Sequence, residues 1–108
     1  VYTTVEDLAK WDANFYSRAA GGRLIGALQT PGPKRGAGHY ALGLFLGEYR
    51  GARTVRHGGS WAGFRAELLR FPEYKFSVIC LCNRGDADPS SLADQVAGVY
   101  LEPLLKPA

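Results

Sequence analysis

No apolar run in these 108 residues approaches the roughly 20 that a membrane-spanning helix requires. Nor does a basic start lead into an apolar stretch and small residues, the pattern of a secretory leader. No membrane partner is expected, and the compartment stays open. Cysteine is scarce, with only Cys80 and Cys82 at i and i+2 of an apolar run. In a strand their side chains point the same way with Cα atoms about 6.8 Å apart, a poor disulfide geometry, and Cys-x-Cys is too tight for the usual zinc pairing. They read as buried thiols. His39 and His57 add no metal-ligand spacing, so neither a metal nor another cofactor is expected. Internal repeats and low-complexity segments are also missing. Hydrophobic residues at 46% and charged ones at 21% exclude a disordered chain.

The net charge of +3 rests on nine Arg and four Lys. Five of the Arg (Arg50, Arg53, Arg56, Arg65 and Arg70) fall in the strand-rich middle, which brings nucleic acid into consideration. They are separated by apolar residues and Glu67 and spread over both faces of a sheet. No aromatic-rich RNA-binding strand or helix-turn-helix spacing accompanies them. No nucleic-acid partner is expected, and these arginines read as a solvated surface. The length makes residues 1–108 a single domain, burying about two thirds of its unfolded surface.

Thr3-Thr4-Val5-Glu6-Asp7 offers a capping box twice over, Thr3 with Glu6 or Thr4 with Asp7, and Val5, Leu8, Trp11 or Asp12 and Phe15 follow at helical spacing. This predicts a helix over 5–16. Leu24 to Gln29 fits a short second helix, and Thr30 to Gly38, rich in Pro and Gly, a loop. From Tyr40 the period becomes two, with Leu42, Leu44 and Leu46 on one face, and Arg50-Gly51 turns the chain back into Ala52 to His57. A second hairpin pairs Phe64 to Phe71 with Phe76 to Asn83 across Pro72 to Lys75. The run Phe76 to Cys82 is apolar on both faces, as a central strand would be. Asp88 as N-cap and Pro89 at the first helical position open a last helix with an apolar stripe of Leu92, Val96, Val99, Tyr100 and Leu104. The fold class is therefore α+β, an antiparallel four-stranded meander flanked by N- and C-terminal helices. Two helices cover one sheet face, so the second face wants a layer from a dimer partner or from a larger protein.

Between two of those strands lies His57-Gly58-Gly59-Ser60-Trp61-Ala62-Gly63-Phe64. Three glycines in seven residues mark a place where backbone comes close to something else, a substrate or another piece of protein. His57 itself reads either as a site residue or as a satisfied histidine at a strand end.

Asp7-Leu8-Ala9-Lys10-Trp11, Tyr40-Ala41-Leu42-Gly43-Leu44, His57-Gly58-Gly59 with Gly63-Phe64, Phe71-Pro72-Glu73 and a strand ending at Asn83 follow one another along the chain. In order and spacing they resemble the C-terminal part of the serine β-lactamase and penicillin-binding-protein-like hydrolases, the class C β-lactamase, esterase and D-aminopeptidase branch. The resemblance covers nearly the whole chain. It implies the C-terminal part of the β-lactamase/transpeptidase-like fold, a small-molecule acyl substrate in the full-length parent, and a periplasmic or secreted parent. In that family a K-T-G strand or a variant such as H-x-G lines the site opposite the nucleophile, and the backbone N–H just past its glycine forms half of the oxyanion hole. By that resemblance His57 takes the Lys position, Gly59 is the closing glycine, and Ser60 supplies the N–H donor. Substrate contacts fall on His57, Gly58, Gly59 and Ser60. Such a donor is worth roughly 3 kcal/mol to a tetrahedral intermediate. A His in place of Lys carries a proton only part of the time near neutral pH, so it holds a substrate carboxylate less firmly and favours esterase or peptidase-like chemistry over β-lactam hydrolysis.

The family's nucleophile and base lie in S-x-x-K, and a further proton-handling group in Y-x-N or S-x-N. Here no serine has Lys three residues on, and no tyrosine has Asn two residues on. An oxyanion donor alone has no covalent step to assist, so the chain is expected to be a C-terminal fragment of a larger hydrolase and inactive by itself. Two rivals compete. Gly58-Gly59-Ser60-Trp61-Ala62 is a near miss to the G-x-S-x-G nucleophile elbow, which needs a helix after the serine where this sequence has a strand. The other rival is a non-catalytic module that dimerises or binds through an apolar sheet face.

Overall fold

A computed structural model describes residues 1–108. Helix α1 (Val5–Ser17) starts at Thr4, whose hydroxyl accepts the Asp7 backbone N–H at 3.2 Å. Of the two capping pairs the sequence offers, the Thr4–Asp7 spacing is the one that forms this bond. Helix α2 (Leu24–Leu28) follows. At the other end Asp88 caps α3 (Pro89–Tyr100) by accepting from the Ser91 N–H at 3.0 Å, with Pro89 in the first turn where its missing N–H costs nothing.

The fold is α+β with an antiparallel meander, but the sheet has six strands rather than four: β1 (Lys34–Arg35), β2 (Gly38–Tyr40), β3 (Phe45–Tyr49), β4 (Ala52–Trp61), β5 (Phe64–Phe71) and β6 (Phe76–Cys82), in sequence order across the sheet. The two additional strands are short: β1 lies inside the stretch Thr30 to Gly38 that composition alone marks as loop, and β2 starts at its end. The single strand expected from Tyr40 is split. Ala41 N–H donates to Leu44 O at 2.7 Å with Gly43 at φ 79°, so the chain reverses between Tyr40 and Phe45. Leu42 is consequently exposed while Ala41 and Leu44 are buried.

The glycine-rich stretch is also placed differently from its reading as a strand connection. His57 to Trp61 continue β4 without a break, paired with Leu68 to Phe64 of β5. The connection itself is only Ala62-Gly63, and the residue held at positive φ there is Ala62 (51°).

Helices α1 and α3 do not share a face of the sheet. Alternation along β5 sends Leu69 and Phe71 to one side and Arg70 to the other. Leu69, Phe71, Ala52 and Val78 pack under Ala93, Ala97, Leu101 and Leu105 of the α3 segment. On the opposite face Phe15 of α1 and Ile25 of α2 close over Val55, Ala41 and Leu44. The molecule is a sheet between two helical layers, each with its own small core.

Two further expectations are corrected. The apolar stripe of α3 is turned outward: Leu92, Val96, Val99, Tyr100 and Leu104 are exposed, and the small residues Ala93 and Ala97 face the sheet with Leu101. Strand β6 is an edge strand, although its run of apolar residues has the pattern of a central one.

The arginines do spread over both faces, yet not all are solvated. Arg70 is 1% exposed, its guanidinium 3.9 Å above the Phe15 ring and its Nε bonded to Asp12 Oδ1. Cys80 and Cys82 are free and half-buried rather than buried.

Candidate active site

The direction of each backbone group along β4 follows from its two hairpins. Arg50-Gly51 is a two-residue turn with positive φ at both positions (47° and 82°), and Tyr49 pairs with Ala52 across it. The residues flanking such a turn exchange both hydrogen bonds, so Ala52, and with it Thr54 and Arg56, directs N–H and C=O toward β3. The second hairpin, closed by Trp61 opposite Phe64, turns Trp61, Gly59 and His57 toward β5. Gly58 and Ser60 therefore direct their backbone groups to the β3 side. But β3 begins at Phe45, which stands opposite Arg56. Beyond that point β4 has a neighbour on one side only, and the N–H and C=O of Gly58 and Ser60 open onto space that no strand fills.

His57 stands at the head of this open edge. Its Nδ1 lies 2.5 Å from Gly58 O, and its Nε2 lies 3.3 Å from the Tyr40 hydroxyl, with the two rings 6.2 Å apart between centroids and inclined at 60°. Tyr40 closes β2, where its own N–H donates to Pro33 O at 3.1 Å.

Under the same strand, on the α3 face, Arg56 is the hub of an ionic cluster. It donates from Nε to Glu67 Oε1 at 2.5 Å, from Nη1 to Asp94 Oδ1 at 2.9 Å, and from Nη2 to Ser90 Oγ at 2.7 Å. Burial works against the Arg56 charge, but Glu67 and Asp94 outweigh it and hold the guanidinium above its ordinary value. Glu67 is 4% exposed, and its second carboxylate oxygen lies 2.9 Å from where a Cβ on Gly58 would sit. A side chain at Gly58 would have to displace that carboxylate. A Cβ on Gly59 would meet only the Ala66 methyl at 3.6 Å, an ordinary contact. Next to the cluster, Cys80 has its thiol pushed up by burial, with Cys82 and Glu67 adding to the effect.

The four predicted site residues thus lie along one strand, but the pleat divides them. His57 and Gly59 belong to the α1 face, Gly58 and Ser60 to the α3 face. An open hollow of about 410 Å³ lies on the α3 face between Gly58, Ser60, Glu67, Asp88 and Ser90. Gly59 also lines it and the His57 ring does not; His57 meets the open edge only through its ring, by the Nδ1 contact with Gly58 O. Sequence reading missed Tyr40 as a partner of His57 and the Arg56–Glu67–Asp94 cluster. The only signal for Tyr40 was its place in the Tyr40-Ala41-Leu42-Gly43-Leu44 motif. No three His, Cys, Asp or Glu side chains converge where they would hold a metal ion.

The Beta-lactamase family model matches residues 1–101, and the chain belongs to that family. No curated protein and no solved structure matches the chain.

Proposed function

We propose that this chain forms one wall of the acyl-transfer site of a serine hydrolase of the class C β-lactamase, esterase and D-aminopeptidase branch. Its nucleophile and base, in S-x-x-K and Y-x-N, belong to a part of the parent protein that these residues do not include. The observation that carries this reading is the unpaired edge of β4. It directs the Ser60 N–H, the group that follows Gly59 in the family motif, onto open space along the strand that carries His57. A preset N–H of this kind stabilises the oxyanion of a tetrahedral intermediate by roughly 3 kcal/mol and needs no reorganisation at the moment of reaction. The substrate is a small acyl compound, and a histidine in the Lys position suits an ester or peptide better than a β-lactam carboxylate.

With no nucleophile among its residues, the chain alone is inactive. The test is exposure of the purified chain to an activated-ester or β-lactam probe, followed by intact-mass analysis. No mass increase is expected. Stoichiometric labelling of Ser60 would overturn the proposal and make Ser60 a nucleophile in its own right.

A second reading, a non-catalytic module that self-associates, is favoured by exposed apolar groups. Trp61, Phe64 and Leu81 on the α1 face, and the outer row of α3, lie open to solvent. The gene discriminates the two, since an S-x-x-K upstream in the same reading frame establishes the parentage.

A further inference from the structure

The geometry points to a fixed tautomer of His57, set by the Gly58 carbonyl, with Tyr40 as the positioning residue that takes up the remaining ring nitrogen within the chain. A carbonyl oxygen only accepts, so the contact between His57 Nδ1 and Gly58 O requires the hydrogen on Nδ1. In the neutral ring Nε2 is then a lone pair, and the Tyr40 hydroxyl 3.3 Å away is the group that donates to it. Gly58 O is available for this role because it faces the side of β4 where β3 has ended and no strand claims it. Tyr40 is held in turn by its N–H bond to Pro33 O and by the Ala41–Leu44 reversal that follows it, so the hydroxyl is carried on a tied-down backbone.

The consequence bears on substrate class and rests on the site reading above. A neutral His57 with both nitrogens engaged offers no N–H to a substrate carboxylate, and the phenolic hydrogen of Tyr40 is committed as well. A protonated ring instead donates Nε2–H to the Tyr40 oxygen and frees the phenolic hydrogen, so the consequence holds for the neutral ring. The site then prefers acyl substrates that are uncharged next to the scissile bond.

The experiment is long-range ¹H–¹⁵N correlation on the ¹⁵N-labelled chain at alkaline pH, with the two histidines assigned by a His39→Gln variant. The expected spectrum shows His57 with a protonated Nδ1 and an unprotonated Nε2, the tautomer that a free imidazole side chain disfavours. In Tyr40→Phe the tautomer is expected to stay, because Gly58 O still requires the hydrogen on Nδ1, while the unprotonated Nε2 resonance moves downfield as its donor is lost. A wild-type His57 protonated on Nε2 overturns the inference and needs no variant. So does an Nε2 resonance unchanged in Tyr40→Phe while the amide spectrum stays intact. Neither result depends on acyl transfer, so the inference fails separately from the proposed function. Labelling of Ser60 by an acyl probe would remove that function and leave the tautomer assignment standing.

Discussion

At the scale of single residues, two adjacent glycines of one motif have different surroundings. At Gly58 the missing Cβ leaves room for the Glu67 carboxylate that Arg56 holds in place. At Gly59 the Ala66 methyl leaves ordinary van der Waals space. Gly58→Ala is therefore expected to destabilise the fold by about 1–3 kcal/mol, through displacement of a buried ion pair. Gly59→Ala is expected to be neutral or stabilising by up to about 1 kcal/mol, since a strand alanine has less backbone freedom to lose. Paired thermal melts check this, and equal losses in both variants would contradict it. The His-Gly-Gly-Ser motif was legible because its residues are contiguous. The partners of Arg56 were not, because Glu67 and Asp94 stand 11 and 38 residues away in sequence, and Tyr40 stands 17 from His57. Local period and composition carry no mark of a cross-strand or helix-to-sheet ion pair.

At the scale of elements, each end of the chain is fastened to the sheet by an ionic tie. α1 is held through Asp12, which accepts from the buried Arg70 and from Ser77 Oγ at 2.7 Å. Removing that acceptor leaves a guanidinium 1% exposed whose other side-chain acceptor is Gln29 Oε1 at 3.4 Å. Asp12→Ala is expected to cost about 3 kcal/mol, read as a fall in urea midpoint, and a loss below about 1 kcal/mol would show that the tie contributes little. The C-terminal segment is tied by Arg50, which donates to both Glu102 oxygens at 2.9 and 3.2 Å. That bond, with the Arg50 charge, holds the Glu102 carboxyl below its usual range. A depressed folded-state value means that the stabilisation is complete above the unfolded carboxylate value and is lost as pH falls through the depressed one. Acid titration should therefore loosen the segment after α3 first on the low side of the carboxylate range. Glu102→Gln should remove that step, which amide exchange of residues near Leu105 would follow. The caps at Thr4 and Asp88 and the Arg50-Gly51 turn were readable because each is a local device acting over two to four residues. The facing of α3 was not: its leucines and valines look like a core stripe, yet Ala93 and Ala97 let the helix sit close to the sheet and turn the larger side chains outward.

At the scale of the whole molecule, those outward side chains join two other unfilled surfaces: the α1-face patch of Trp61, Phe64 and Leu81, and the outer edge of β6. The expectation that one sheet face lies bare is thereby replaced by two apolar patches and an open strand edge, since a helix covers part of each face. A monomer of this size rarely leaves apolar patches beyond a few hundred Å². At roughly 25 cal/mol per Å², covering about 1,000 Å² supplies a gross driving force near 25 kcal/mol, most of it offset by the entropy and desolvation costs of association. Sedimentation of the isolated chain should show self-association. A compact monomer at high micromolar concentration that binds no hydrophobic dye would show that no covering layer is missing. In the proposed function Ser60 and His57 complete a site whose nucleophile lies elsewhere in the parent. Complementation tests it most directly: the chain is mixed with the separately produced part of its parent that carries S-x-x-K, and acylation of that serine by an activated ester is followed with time. The account predicts acylation only when both pieces are present, and a strong reduction when the chain carries His57→Ala. Equal acylation of the nucleophile-bearing piece with and without this chain would contradict it.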